Sequence, residues 1–268
     1  MNVLICGHNN LIGKYLKETF EKEEIKHNFS YYENNSNDLL IEIIQMKYSH
    51  LIYCENYFIN NKINDLNENI NYNLYSPIKL ALFCQLYKIH FTYIGNGNIY
   101  NFEDNLDKVF NEEDEPNFCL DEKRIILCNT DRLLKLTNSL NLRIPNLITN
   151  SLKDTENYIR QLLFKTKIGD IKISISILND IIPIIVDLVK KREKGTFNLC
   201  NTSAISQNEI LCLYKKYIDK DFKWKYVKNF RDEKDCYSIL DTTLISLKYN
   251  IPTAYESIEK YLKEYENN

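Results

Sequence analysis

Short apolar runs alternate with longer segments of helical periodicity along most of the chain. An apolar run at residues 2–6 ends at a glycine, and in residues 11–23 the apolar positions then recur every three or four residues. The pattern predicts strands or extended segments at residues 2–6, 27–31, 50–54, 89–94, 141–144, 172–177, 196–199 and 222–227. It predicts helices at residues 11–23, 39–46, 72–87, 122–136, 155–165, 180–191, 207–217 and 254–265.

The alternation of strands and helices predicts an α/β fold. It is typical of a Rossmann-type, doubly wound parallel sheet with helices on both faces. There is no linker rich in Pro, Gly or Ser, so we expect a single domain over residues 1–268. Residues 1–165 or so should form the core, and residues 166–268 mostly a small C-terminal lobe. The 195–227 block is expected in that lobe, beside the carboxyl ends of the strands.

The first strand is followed by a candidate phosphate-binding turn. Such turns use glycines because the backbone must approach a pyrophosphate at a helix N-terminus. Gly7 and Gly13 occupy the outer positions of a G-x-x-G-x-x-G turn, and Asn10 occupies the middle one. Asn tolerates a left-handed conformation, so the turn can form, but its side chain adds bulk on the phosphate path. The candidate cofactor-binding residues here are therefore Gly7, Asn10, Leu11, Ile12 and Gly13, although two glycines alone also fit a plain strand-to-helix turn.

Composition limits the classes of binding partner and the cellular compartment that we expect. A net charge of -3 with a pI of about 5.9 favours neither a nucleic-acid nor a membrane partner. The eight cysteines form no C-x-x-C pair, which is typical of free thiols in a reducing compartment. The four histidines lack metal-ligand spacing. We see no cleavable leader and no long apolar stretch, so we expect a cytoplasmic protein that does not span a membrane.

Several blocks together carry a family resemblance. They are NEEDEPNF (111–118), GNGNIY (95–100), LNDIIP (178–183), GTFNL (195–199), SQNEIL (206–211), YKKYID (214–219), FKW (222–224) and LDTT (240–243). In these blocks the chain resembles the plant UDP-rhamnose synthases and their bifunctional 3,5-epimerase/4-reductase relatives, which are extended short-chain dehydrogenases/reductases. The dTDP-4-dehydrorhamnose reductases are wider relatives. The resemblance implies NADPH (NADP) as cofactor, a nucleotide sugar as ligand and a substrate-side role for the C-terminal lobe.

The resemblance also locates the residues that should reduce a ketone. In the family a Tyr-x-x-x-Lys pair opens the helix after the PNF segment, where the Tyr donates a proton and the Lys lowers its pKa. Carried across, the Tyr position falls on Lys123 and the Lys position on Leu127. The hydroxyl that holds the substrate carbonyl falls on Asn96, beside Gly95. All three residue types are replaced, so Asn96 and Lys123 are candidate catalytic positions of a degenerate site. Asn96 can still hold a carbonyl by its amide, and a desolvated Lys123 can act as an acid.

Two further segments bear on the site. The family's Asn-Ala-Ala-Gly segment after the third strand corresponds here to Tyr53-Cys54-Glu55-Asn56. Cys54 is thus a candidate cofactor-binding residue, and the Glu55 carboxylate would oppose phosphate charge. A Tyr-x-x-x-Lys match at Tyr75 and Lys79 lies on an earlier helix, and we interpret it as chance. We find no counterpart of the family's epimerase Cys and Lys within residues 56–71.

Three hypotheses for function remain open. The first is a catalytically silent relative that binds a nucleotide, a sugar nucleotide or a partner protein. The second is an active NADPH-dependent UDP-4-keto-6-deoxyglucose 3,5-epimerase/4-reductase with unusual catalytic residues. The third is a regulatory or structural subunit without a ligand that pairs with another sugar-nucleotide enzyme. The sequence does not distinguish a homodimer from an assembly with such a partner enzyme.

Overall fold

The computed structural model describes residues 1–7, 10–30, 37–54, 65–101, 108–119, 121–232 and 236–266. The helices are α1 Leu11–Lys22, α2 Asn37–Gln45, α3 Leu66–Ile70, α4 Ser76–Leu86, α5 Glu122–Leu134, α6 Tyr158–Leu163, α7 Leu178–Lys190, α8 Gln207–Tyr217, α9 Thr243–Ser246 and α10 Ala254–Glu266. The strands are β1 Asn2–Cys6, β2 Lys26–Ser30, β3 His50–Tyr53, β4 His90–Asn96, β5 Val109–Phe110, β6 Leu140–Ile144, β7 Leu147–Ile148, β8 Lys167–Ile168, β9 Lys172–Ile173, β10 Ser176–Ile177, β11 Gly195–Asn198, β12 Ile205–Ser206, β13 Lys225–Tyr226 and β14 Ile239–Leu240.

Six strands form one parallel sheet in the order β11-β6-β4-β3-β1-β2, which confirms the predicted Rossmann-type α/β fold. Cys6 is in register with Tyr53, and Tyr53 is in register with Tyr93. The carboxyl ends of β1, β3 and β4 therefore meet along one edge. In open α/β sheets this edge is where ligands bind.

Burial explains why these segments form strands of a covered sheet. Every residue of β3 and the last four residues of β1 are buried, as expected where helices cover both faces. Helix α1 buries Ile12, Leu16 and Phe20, which recur at helical spacing on one face. The apolar pattern thus determines which face of the helix meets the sheet.

The helix predicted over residues 72–87 is not a single α-helix. A π-helical turn, Asn71–Tyr75, lies between α3 and α4. Pro77 lacks an N–H and its ring crowds the carbonyl four residues earlier, which belongs to Asn73. The Thr130 hydroxyl of α5 donates to this carbonyl, and the Tyr53 hydroxyl donates to the Tyr72 carbonyl at 2.6 Å. A proline inside a helical pattern thus causes a local change of helix register that the apolar periodicity does not reveal.

The strand predicted over residues 172–177 is also divided. Its ends form β9, antiparallel to β12, and β10, parallel to β7, both outside the six-stranded sheet. Between them the Ser174 amide donates to the Ser238 carbonyl at 3.0 Å. An apolar run indicates that a segment is buried, but it does not identify the distant backbone groups that pair with it.

The chain divides into two compact units that interleave along the sequence. The first contains residues 1–99, 115–143 and 182–197, and the second contains residues 100–114, 144–181 and 198–268. From the sequence we placed the division between core and lobe at one point near residue 165. The 195–227 block also begins with β11, a strand of the six-stranded sheet, rather than lying wholly in the lobe. Among the described residues, no helix has the length and apolar character needed to cross a membrane.

A buried ion pair joins α5 to β6 in the first unit. Arg143 donates to Asp131 from Nε at 3.0 Å and from Nη2 at 2.6 Å, and Asn141 Nδ2 donates to the same carboxylate at 2.7 Å. The Arg143 and Asp131 side chains are 0% and 5% exposed. Two-point binding with a third donor is the geometry in which a buried pair offsets its desolvation.

Replacing Arg143 with Met should destabilise the fold strongly, because the Asp131 carboxylate would stay buried without its cation. The expected loss is about 3–5 kcal/mol of unfolding free energy. The double variant R143M/D131L should recover part of it, since no buried charge remains. Denaturant unfolding checks this, with R132A as the control.

Arg132 pairs with Glu115 at 3.2 Å, but both side chains are well exposed, so R132A should cost below about 1 kcal/mol. If R143M and R132A lost equal amounts of unfolding free energy, the buried Asp131–Arg143 pair would not be the stronger of the two contacts that α5 makes.

Candidate functional site

The segment predicted as a phosphate turn joins β1 to α1, and its residues 8 and 9 lie outside the described residues. Gly7 has a φ of 91°, a conformation that glycine adopts without strain. The Asn10 amide donates to the Gly7 carbonyl at 3.2 Å, which closes the turn, and α1 begins at Leu11. The first turn of α1 has no acidic residue, so its N-terminus is electrostatically suited to an anion. A strand, a left-handed glycine and a helix N-terminus together fit the phosphates of a dinucleotide.

Asn10 differs from expectation in its conformation. Its backbone is extended, with φ -78° and ψ 168°, so its tolerance of the left-handed region is not used. Instead its side chain caps α1, and Oδ1 accepts from the Gly13 amide at 2.8 Å. Amides in the first helical turn are the donors that a phosphate would use. The capping oxygen therefore competes with a phosphate for the Gly13 N–H.

Cys54 lies beside this turn, directly after β3. Its amide donates to the Cys6 carbonyl at 2.9 Å, and its thiol donates to the Cys6 and Gly7 carbonyls at 3.0 and 3.4 Å. The structure thus brings together Cys54, Gly7 and the start of α1, because the carboxyl ends of β1 and β3 meet at one edge of the sheet. Glu55, the predicted obstacle to phosphate, lies outside the described residues.

Asn96 ends β4, and its side chain already has a local partner. Its Oδ1 accepts from the Asn98 amide at 2.7 Å, so this oxygen stabilises the turn after the strand. The neighbouring Gly95 packs closely: a Cβ there would lie 2.9 Å from the Tyr93 ring and 3.2 Å from the Leu142 carbonyl oxygen. A serine at 95 would not fit without movement, which leaves Asn96 as the polar side chain at this strand end.

Helix α5 carries the two positions, 123 and 127, to which the family resemblance assigns a Tyr and a Lys. Asp121 caps the helix by accepting from the Arg124 amide at 2.8 Å, and Lys123 lies half-buried in the first turn. Leu127, one turn further, is 3% exposed. An aliphatic side chain thus occupies the buried position where the family carries an ammonium.

The segment before α5 is tied to the end of β4. The Asn117 and Phe118 amides donate to the Ile99 carbonyl at 3.2 and 3.1 Å. The Cys128 thiol of α5 lies 3.5 Å from the same oxygen. These contacts hold the start of α5 close to the strand end that carries Asn96.

Neither Tyr93 nor Tyr75 places a hydroxyl on α5. Residues 119–136 contain no tyrosine. Tyr93 lies in the core, where burial raises the pKa of its hydroxyl well above the ordinary range. Tyr75 and Lys79 lie on the π-helical turn and α4, with the Lys79 ammonium 5.7 Å from the Tyr75 ring centroid.

Two anchors of α5 were missed from the sequence. They are the Thr130 bond to the Asn73 carbonyl and the Asp131–Arg143 pair. Two signals were present: Pro77 inside a helical pattern, and an arginine within the apolar strand segment LNLRI. A cation inside a buried strand requires a buried anion, but only the fold identifies Asp131 as that anion.

Comparison with known proteins shows which enzymes the chain is similar to. No protein-family model matches the chain. Protein L780 of Acanthamoeba polyphaga mimivirus is 36% identical over 163 residues, which cover 59% of this chain and 56% of L780. A crystal structure described as the L780 UDP-rhamnose synthase superposes with a TM-score of 0.86 at 27% identity, over 98% of this chain and 99% of that one.

A plant relative matches over nearly the whole chain. An Arabidopsis thaliana bifunctional dTDP-4-dehydrorhamnose 3,5-epimerase/dTDP-4-dehydrorhamnose reductase is 26% identical, over 98% of this chain and 93% of the relative. In sequence and fold the chain is thus similar to the UDP-rhamnose synthases and the dTDP-4-dehydrorhamnose reductases.

Two of the matches are limited, one set in the length covered and one in identity. The chain spans about half of L780 in the sequence match, and 37% and 35% of two trifunctional Arabidopsis rhamnose-synthesis proteins. A dTDP-4-dehydrorhamnose reductase from Bacillus anthracis in complex with NADP has a TM-score of 0.80, over 98% of this chain and 99% of that one. At 17% identity this match shows a shared fold alone.

Proposed function

We propose that this protein is a nucleotide-sugar reductase-like protein of the rhamnose-synthesis family that binds its ligands but does not reduce a ketone at a useful rate. The observation that carries the proposal is the chemistry of α5, with Lys123 in the first turn and the buried Leu127 one turn later. A buried leucine cannot lower the pKa of a neighbouring proton donor. The proton donor, its activating cation and the carbonyl-holding hydroxyl are all replaced.

Asn96 is a weak substitute for the hydroxyl. Its oxygen is engaged by the Asn98 amide, so a substrate carbonyl could use only its Nδ2. Rotation of the side chain to serve a substrate would also break the turn after β4. Lys123 can donate a proton, but its position on α5 lacks the cation one turn away that activates the family's Tyr.

The nucleotide site supports retained but weakened binding of NADPH. Gly7 and the N-terminus of α1 fit a pyrophosphate by backbone geometry alone. The Asn10 side chain competes for the Gly13 amide, at a distance of 2.8 Å. Binding and catalysis use different atoms here, so one can weaken without abolishing the other.

An active enzyme is the second candidate. The observation in its favour is the match to the L780 UDP-rhamnose synthase over 98% of this chain with a TM-score of 0.86. In that case Lys123 would be the proton donor and Asn96 would hold the carbonyl. Turnover separates the two candidates directly.

Replacing Asn10 should change NADPH affinity in opposite directions according to the new side chain. N10G frees the Gly13 amide, so we expect binding about tenfold tighter than in the unmodified protein, equivalent to one hydrogen bond of about 1.4 kcal/mol. N10D keeps a capping oxygen but adds negative charge beside the phosphates, so we expect weaker binding. Calorimetric titration measures both, and equal dissociation constants for all three proteins would refute the role of Asn10.

The unmodified protein should form no UDP-rhamnose from UDP-4-keto-6-deoxyglucose and NADPH above a no-enzyme control. A positioned acid contributes about 10²–10⁴-fold to a rate, and groups that act as one unit are lost together. Chromatography of the nucleotide sugars checks this outcome. Clear product formation would favour the active enzyme, and a rate drop in K123A would then identify Lys123 as the substitute acid.

A further inference from the structure

The second compact unit contains a two-stranded ribbon, β8 and β13, in a region of concentrated positive charge. Residues 215–231 contain seven Lys or Arg residues and two Asp residues, whereas the whole chain has a net charge of -3. The positive charge is therefore local to this segment, which includes β13 and the end of α8. A face of one charge sign attracts partners of the opposite sign.

Aromatic packing determines which side chains of this segment face outward. Between residues 222 and 225, half-buried aromatic residues alternate with exposed lysines. The Phe222 and Trp224 rings stack with their centroids 5.9 Å apart, and Trp224 Nε1 donates to Oδ1 of Asn208 on α8 at 3.0 Å. Successive side chains of an extended segment point to opposite sides, so Lys223 and Lys225 share the outward side.

The pairing of the two strands adds a third cation to this side. Lys225 of β13 is directly in register with Lys167 of β8, and both residues are exposed. Neighbouring strands lie about 4.8 Å apart, and side chains in register lie on the same face, so like charges at such positions repel each other. Lys167, Lys223 and Lys225 are called the cationic face below.

The carboxylates near the ribbon are engaged with other groups. Asp232 pairs with Lys165 at 4.0 Å. Asp170 accepts from the Tyr226 hydroxyl at 2.9 Å and from the Asn229 amide at 2.7 Å. Within the ranges that the structure describes, no carboxylate forms an ion pair with a lysine of the cationic face. The repulsion on this face is therefore of the kind that an external anion would offset.

We propose that the cationic face is a docking surface for an extended acidic segment of a partner protein, with carboxylates at alternate positions. Alternate side chains of an extended chain lie on one side and repeat every 6.6 Å or so, which matches the spacing of Lys223 and Lys225 along their own segment. Each carboxylate that docks would replace repulsion between lysines with attraction.

The aromatic residues favour an acidic protein over a single-stranded nucleic acid. Proteins that bind single strands stack the bases on exposed aromatic rings. Here the Phe222 and Trp224 rings stack on each other, and Trp224 is held by α8, so the cationic face presents ammonium groups without these rings. The inference concerns the second unit alone and does not depend on the proposed lack of turnover.

The first experiment measures binding of a fluorescein-labelled peptide of alternating Glu and Ser by fluorescence anisotropy at low salt. K167S/K223S/K225S should weaken binding about tenfold or more, because exposed ion pairs each contribute a few tenths of a kcal/mol or more. The matched control K22S/K153S/K260S removes the same charge from three exposed lysines elsewhere, and it should bind within about twofold of the unmodified protein. Added salt should weaken the binding that remains specific to the cationic face.

The second experiment tests the repulsion itself through Tm. K225E places a carboxylate beside Lys167, so it should raise Tm, and K225S should raise Tm by less. K260E, the same change at an exposed lysine of α10, should leave Tm nearly unchanged. A lower Tm for K225E than for the unmodified protein would show that the two lysines do not repel each other.

Three binding results would overturn the proposal. The first is an unmodified protein that does not bind the Glu-Ser peptide. The second is equal weakening by K167S/K223S/K225S and by its control, which would mean that only the overall charge matters. The third is a single-stranded oligonucleotide of equal charge that binds more tightly than the peptide and loses its binding in K167S/K223S/K225S, which would assign the cationic face to nucleic acid.

Discussion

The buried ion pair between Asp131 and Arg143 is the interaction on which the position of α5 depends. It joins the helix to β6 through two donors, at 3.0 and 2.6 Å. The preceding residue, Thr130, joins the same helix on its other side to the carbonyl crowded by Pro77. Consecutive residues thus anchor α5 to two neighbours, and neither anchor uses Lys123 or Leu127. The helix can therefore keep its position in the fold when the side chains at positions 123 and 127 differ from those of its relatives.

The backbone groups proposed to bind the nucleotide and the side-chain positions proposed for ketone reduction therefore lie on separate parts of the structure. The turn at Gly7 and the N-terminus of α1 would bind phosphates through backbone amides, which most side-chain replacements leave unchanged. By the family resemblance, proton donation would require particular side chains at positions 123 and 127, and carbonyl binding would require a hydroxyl at position 96. A chain can lose the second set and keep the first, which is why similarity to these reductases does not establish activity here.

Much of the fold and part of the site follow from the sequence. Apolar runs alternating with helical periodicity predicted the parallel sheet, and the family resemblance named both Gly7 and Cys54 as candidate cofactor-binding residues. The same reasoning did not predict the rotation of the Asn10 side chain onto the Gly13 amide, because capping depends on a local conformation that residue type leaves open. Nor did it predict that residues 172–177 would divide between β9 and β10, since their partners are distant in the chain. The catalytic roles of Asn96 and Lys123 stay predictions.

The measurement that tests the account most directly is restoration of turnover. The variant N96T/K123Y/L127K returns the family's three residue types to the end of β4 and to a helix that the fold already holds in position. With NADPH and UDP-4-keto-6-deoxyglucose, we expect it to form product at least about 10²-fold faster than the unmodified protein. The matched control N96T/K123F/L127K, which lacks only the hydroxyl, should stay at the unmodified rate. A folded, NADPH-binding triple variant with no more activity than this control would contradict the account.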